Sequence, residues 1–373
     1  MATGKVEVNN LNLGQGGIPE IERHLLYIGR TDKAELQGQV TRINNMTDLA
    51  KVVADDALGA NVIAAQLNGK KNWTAAIFGL AEGDTWQQAV DIANRTDSFE
   101  GICLCDVVTD KAEFDAMQAK ATELTSKLGR WVFFLAACPG IDAENQTWAQ
   151  YETAMINLVK DVAANLVTPV PQLNGNNLGV LGGRLCDRSV TVADSPMRVA
   201  TGNVLGLGDA PVDSEGEPLE MSTVATLAEA RYSLQQWYAD LEGIYWTDAT
   251  TLEAKGGDYQ YLEYVRPVHK LNRRVRIKAI RRIADRILNS TPPSIELNRA
   301  YFRKDMRDMS KTMEIGGITF PGEIMPPEDG DVTIQWMTKT KVTIGLMVRP
   351  HNCPKQIVVN IALDLSNPAD SEA

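Results

Sequence analysis

From Asp48 to Leu166 the chain alternates short apolar runs with amphipathic stretches. Trp73–Leu80, Gly101–Val108 (GICLCDVV) and Trp131–Cys138 (WVFFLAAC) are apolar at successive positions, as strands are when a sheet is covered on both faces. Between them Asp48–Leu58, Trp86–Arg95, Lys111–Leu128 and Trp148–Leu166 repeat apolar residues every three or four positions and read as helices. His24–Gly29 (HLLYIG) adds a strand before the series, and Lys5–Asn9 another, joined through the Gly-rich LGQGGIPE. The alternation predicts an α/β domain with a mixed, largely parallel sheet and flanking helices.

After Leu166 the pattern changes. Asn174 to Pro218 is rich in Gly, Asn, Asp and Pro and reads as a loop-rich boundary. Helical spacing resumes at Thr223, followed by two expected strands, Gly243–Thr247 and Tyr261–Val265. One amphipathic helix is then expected over Arg266–Leu288, with Val268, Leu271, Val275, Ala279, Ile283 and Ile287 on a single face. Pro292-Pro293 should end it, and Ser294 should cap a further helix to about Met313. Asp331–Met337 and Lys341–Arg349 predict a hairpin turning at Thr338–Thr340. Gln356–Leu365 (QIVVNIALDL) alternates apolar and polar residues as a detached strand. A lone strand is not stable in water, so each terminal strand must pair with its own body or with a neighbour.

Charge sharpens one of these elements. The 373 residues carry a formal net charge of −11, yet nine Lys and Arg fall within the twenty-one positions from Arg266 to Arg286. Such a stripe on an anionic protein is either an ordinary solvated helix face or a dock for one anionic partner. The overall acidity, and the lack of a helix-turn-helix, zinc finger or aromatic RNA-binding motif, disfavour nucleic acid. No apolar run approaches the ~20 residues of a membrane span, and the N-terminus lacks a signal-peptide core, so a protein made and kept in a cytosol is expected. The five cysteines lack framework spacing; Cys103 and Cys105 are expected in the core rather than on a metal.

Chemistry is not visible. The phosphate-binding loop, the zinc-protease helix and the nucleophile elbow are absent, and Gly202–Gly208 has turn glycines without a strand-to-helix context. His24, His269 and His351 stand apart. No catalytic, cofactor or metal residue is expected. A nucleotide-binding α/β enzyme and a nucleic-acid-binding protein using the helix at 266–286 stay open as alternatives.

EIERHLLYIG, DSPMRVATG, TLAEARYSLQQWYADLEGIYWTDATTL, YLEYVRPVHKLNRRVRIKAIRRIADRI and the hairpin with its terminal strand follow one another in order. In that order the chain resembles the bacteriophage contractile-tail sheath family, in its compact form from myovirus-type phages. The resemblance implies an N-terminal arm (1–23), an α/β outer domain (24–222), an α+β tube-facing inner domain with a β-hairpin (223–350) and a C-terminal exchange arm (351–373). It implies that Lys270, Arg273, Arg274, Lys278, Arg281 and Arg282 face a tail tube. The exchanged strands would be Lys5, Val6, Glu7, Val8 and Asn9, and Ile357, Val358, Val359, Asn360, Ile361, Ala362 and Leu363. They would add to a neighbour's hairpin at Val332, Ile334, Trp336, Val342, Ile344, Leu346 and Val348. The implied protein is a non-enzymatic structural subunit, a helical homo-oligomer meeting tube, baseplate and tail-terminator proteins. It would bind no nucleic acid directly and insert into no membrane. It would assemble in the host cytoplasm, reside in the virion tail and contract to drive the tube through the host envelope.

Overall fold

In the computed structural model, which describes residues 21–363, the alternating region forms a six-stranded sheet. Its elements are β1 (His24–Arg30), β2 (Val40–Asn44), α1 (Leu49–Val52), α2 (Ala57–Gly69), β3 (Thr74–Leu80), α3 (Trp86–Thr96), β4 (Gly101–Leu104), α4 (Lys111–Leu128), β5 (Phe133–Cys138), α5 (Trp148–Val159), β6 (Val167–Pro171) and α6 (Asn177–Cys186). The order across the sheet is β2-β3-β1-β4-β5-β6, parallel throughout except at the antiparallel edge β2. Alternate residues enter two cores. Leu26 and Ile28 pack with Val90, Phe114, Met117 and Tyr151 of α3, α4 and α5. Leu25 and Tyr27 pack with Val62, Ala65 and Leu181 of α2 and α6. Burial on both faces explains why these strands read as continuous apolar runs. Cys103 and Cys105 are free thiols in the second core, as expected.

The region read as a loop-rich boundary contains α6, and all ten of its residues are buried. It lies against α2 through glycines: a Cβ at Gly179 would stand 1.9 Å from the Asn61 carbonyl oxygen, and one at Gly183 2.4 Å from that of Ala65. The Gly179 amide also donates to Asn61 Oδ1 at 2.7 Å. Gly179→Ala should therefore destabilise the protein by about 1–3 kcal/mol through overpacking, despite alanine's better helix propensity. A urea midpoint equal to that of the parent would show that the two helices separate at no cost.

The second half continues with α7 (Met221–Glu229), β7 (Gln235–Tyr238), β8 (Leu241–Trp246), α8 (Leu262–Ile280), α9 (Pro292–Met309), β9 (Met313–Ile315), β10 (Ile318–Phe320), β11 (Val332–Trp336) and β12 (Val342–Leu346). Although α7 and the β7–β8 hairpin were expected with the C-terminal domain, they pack on the α/β body. Val224, Leu227, Tyr232 and Leu234 join the first core and Trp246 the second. A third core, of Leu271, Phe302, Met306, Met309, Ile324, Val332 and Ile334, belongs to α8, α9 and the β11–β12 hairpin.

Three expected boundaries move. Tyr261–Val265 is not a strand; Tyr261 is the N-cap of α8 and the rest its first turn. The basic helix stops at Ile280 instead of reaching Leu288, and Ala284 adopts a left-handed φ of 59° in the turns that follow. Pro292 and Pro293 open α9, where a missing N–H costs nothing, and Ser294 lies inside it.

Candidate functional site

The Lys and Arg residues of α8 divide into a buried set and an exposed set. Arg266 is 2% exposed and clamps Glu100 with two hydrogen bonds, Nε to Oε1 at 2.7 Å and Nη2 to Oε2 at 2.9 Å. Its Nη2 also donates to the Leu185 carbonyl, and the Arg23 amide donates to Glu100 Oε2 at 2.6 Å. Burial pushes the Glu100 carboxyl up, but the Arg266 guanidinium outweighs it and holds the group down at about 2. One turn on, Lys270 Nζ meets Glu323 Oε1 at 2.6 Å, and Arg273 bonds Glu22 Oε1 at 2.8 Å and the Trp131 carbonyl at 2.9 Å. His269, enclosed among them, stays neutral, with burial and then Arg273 lowering it to about 3.

Lys270 and Arg273 were expected on a tube-facing stripe. They are instead buried ties joining α8 to the α/β body and to the segment before β11, because a buried charge needs a hydrogen-bonded counter-charge. Lys278 and Arg282 also have partners within the chain. Lys278 meets Asp305 at 2.8 Å, Arg282 meets Asp285 at 2.7 Å, and both cations sit over the Tyr301 ring. Arg274 is half-buried, Arg276 and Arg281 are exposed, and none of the three makes an ion pair with any described residue. Arg286 is exposed in the same way. Beside them Ile280, Ile283 and Ile287 are 47%, 75% and 50% exposed. Ile283 and Ile287 were expected on the buried face; the early end of α8 turns them to solvent.

The hairpin forms in the expected place, with Val332, Ile334 and Trp336 opposite Leu346, Ile344 and Val342. These side chains, with Val348, point into the third core against α9. What the hairpin offers a neighbour is its main-chain edges, since among the described residues this sheet has two strands and hence two unpaired edges.

Beyond Arg349 the chain has no helix or strand through residue 363. Ile357, Val358 and Val359 are 73–74% exposed, Ile361 92% and Leu363 81%. The expected strand Gln356–Leu365 thus pairs with nothing in its own chain over the described part. Lys5–Asn9 lies outside the described residues.

A crevice of about 350 Å³ opens at the carboxyl ends of β1, β3 and β4, where α/β sheets commonly hold ligands. Asp106, Asp110 and Glu113 line it, and its cation, Arg30, is already beside Asp106 at 3.8 Å. That charge repels a phosphate. No group of His, Cys, Asp and Glu suited to a metal occurs among the described residues, and none of their helices is long and apolar enough to cross a membrane.

Two family models match the chain: DUF2586, N-terminal domain, over residues 3–250, and DUF2586, C-terminal domain, over 258–366. The "Putative tail sheath protein" of Haemophilus phage HP1 (strain HP1c1) is 44% identical, covering 97% of this chain and 98% of its own. Among solved structures, the contracted sheath complex of an extracellular contractile injection system, PVC, superposes with a TM-score of 0.62 at 14% identity, over 98% of each chain. A chain of the anti-feeding prophage baseplate gives 0.61 at 12% identity, over 98% of this chain and 100% of that one. The sheath tail protein of Desulfitobacterium hafniense gives 0.51 at 12%, over 93% and 96%. At these identities the structures establish a shared fold.

Proposed function

The chain belongs to the DUF2586 family of phage tail sheath proteins, and from that premise we propose that it polymerises around a tail tube as a helical mesh joined by exchanged terminal strands. Contraction of that mesh drives the tube through the host envelope. The observation that carries this reading is the described part of the C-terminal arm, where Ile357, Val358, Val359, Ile361 and Leu363 stand in water. Exposed apolar strands are either an aggregation hazard or one half of an interface. The open hairpin edges supply the other half, by strand addition from a neighbouring subunit. Contraction energy would be stored in the lattice, so that no nucleotide is needed. Baseplate and terminator proteins would meet the ends of the same mesh. Electron microscopy of the purified protein mixed with tube protein tests the reading: hollow helical sheaths are expected, and a protein that stays monomeric at every concentration refutes it.

Tube contact then falls to the cations that make no ion pair with a described residue, the exposed Arg276, Arg281 and Arg286 with the half-buried Arg274, flanked by Ile280 and Ile283. Arg274→Glu with Arg281→Glu should leave monomer stability within about 0.5 kcal/mol, while cosedimentation with tube protein falls sharply. Wild-type cosedimentation should itself weaken as salt rises. Lys270→Glu must behave differently, unfolding the monomer before any docking is read. Undiminished tube binding by the double variant would return Arg274 and Arg281 to an ordinary solvated face.

A further inference from the structure

Before the arm leaves the body, the linker after Arg349 passes over a cavity of about 600 Å³, walled by Asp194, Tyr264, Glu323, His351 and Cys353. Among the described residues Lys355 is the last that a hydrogen bond or ion pair holds to its own body. Its Nζ lies 2.6 Å from Asp248 Oδ2, 2.6 Å from Glu263 Oε1 and 5.0 Å from the centre of the Tyr261 ring. The two carboxylate side chains are 9% and 2% exposed. Asp248 follows β8 and is fixed by Ser195 Oγ at 2.7 Å and the Ala249 amide at 3.1 Å. Glu263 lies in the first turn of α8, and Cys353 Sγ donates to its Oε1 at 3.3 Å. The seat is therefore built from two rigid elements of the body and closed by two residues of the linker.

Electrostatics makes this seat a demanding one. Burial and then Asp248 push the Glu263 carboxyl up, so two enclosed carboxylates face each other at a cost that one ammonium offsets. Burial drags Lys355 down, but Asp248 and Glu263 outweigh it and hold the ammonium charged well above its ordinary range. Without Lys355 the pocket keeps its negative charge and loses its counter-ion. One residue later the chain is free in solvent: Gln356 is exposed and Ile357 is 73% exposed.

We propose that Lys355 is a latch, seated between Asp248 and Glu263, that fixes where and in which direction the C-terminal arm leaves its own subunit. It acts as a positioning residue. The arm is presented outward to a neighbour, and the linker enters assembly already ordered, which lowers the entropy lost at each junction. This inference rests on the exchanged-arm reading above.

The test uses the full chain with Lys355→Met, Lys355→Arg and the double variant Lys355→Met/Glu263→Gln. Nicking of residues 350–357 by a non-specific protease is followed in the monomer, because the linker is held by side chains and not by its own amides, and polymerisation is followed by light scattering. In Lys355→Met, the nicking rate of the linker should rise about tenfold or more, and polymerisation should slow while finished sheaths keep their form. Lys355→Arg should restore both. The double variant returns the pocket to the parent's net charge, with Asp248 still held by Ser195 Oγ and the Ala249 amide, and recovers part of the monomer stability; its linker should nonetheless stay unprotected and its assembly slow, and recovery of assembly there would reduce Lys355 to a stabilising ion pair and overturn the proposal. Parental linker protection or a parental assembly rate in Lys355→Met would overturn it equally. A chain ending at Lys355 separates the two readings, since it keeps the latch and lacks the arm. It should retain linker protection and fail to polymerise, whereas its normal polymerisation would refute the exchanged arm and the presentation role with it.

Discussion

Glu100→Gln will cost the monomer about 3–5 kcal/mol, the usual result of removing one partner of a buried ion pair. The carboxylate is 0% exposed and accepts from the Arg266 side chain twice and from the Arg23 amide. Glutamine keeps the shape but loses the charge, and its amide turns a donor toward a donor. Arg266 would then lie buried with the Leu185 carbonyl as its one other acceptor in this cluster. A pH signature accompanies the loss. Glu100 is held at about 2, below its ordinary 4.5, so its contribution is complete above about 4.5 and disappears as pH falls through 2. Parent and variant should therefore converge in acid and differ most near neutrality, as urea denaturation at a series of pH values will show. A parental midpoint at neutral pH in Glu100→Gln would mean that this pair does not hold α8 to the α/β body.

That pair also shows which parts of the molecule the sequence could disclose. The parallel strands were legible because full burial writes itself as unbroken apolar runs, and Trp131–Cys138 differs from β5 by two residues. The edge strand β2 was not, since its burial is mixed and VTRIN carries no strong pattern. Nor was α6: a helix buried all round has no polar face to set a period, and glycines read as turns until the α2 backbone is seen against them. The basic segment was found as a helix, but its role depended on carboxylates far away in sequence. Glu22 is 251 residues from Arg273, Glu100 166 from Arg266 and Glu323 53 from Lys270. Local periodicity reports that a side chain faces inward or outward. It does not report that an inward cation will find an acid from another part of the chain. Ile283 and Ile287 failed for a related reason, because nothing in their spacing announced that the helix would end at Ile280. That residues 356–363 leave the body was legible, since the segment is separated from the hairpin by a Pro-containing linker.

Removing residues 356–373 will abolish polymerisation while leaving the monomer's denaturation midpoint unchanged. Residues 356–363 form no ladder with their own body, so little intramolecular stability goes with them. On the exchanged-arm reading proposed above, what goes is the junction between subunits. In a paired strand successive side chains face opposite ways, which puts Ile357, Val359, Ile361 and Leu363 on one face and Val358, Asn360 and Ala362 on the other. Burying the four large aliphatics is worth about 1.5–3 kcal/mol each. Ordering the segment offsets much of that, at about 1–2 kcal/mol per residue. The junction is thus a modest difference between large terms, and main-chain hydrogen bonds to the hairpin edge tip it toward association. A net loss of even about 4 kcal/mol lowers each association constant roughly a thousandfold, enough to take the polymer beyond working concentrations. The same argument predicts an asymmetry between the two faces. Ile361→Asp should block assembly as completely as the deletion, by putting an unpaired charge on the face that must become dry. Asn360→Asp, on the opposite face, should leave sheaths that form. Equal tolerance of both substitutions, read by sedimentation and electron microscopy, would show that the arm docks without strand alternation, and assembly of the truncated chain would remove the arm from the junction altogether.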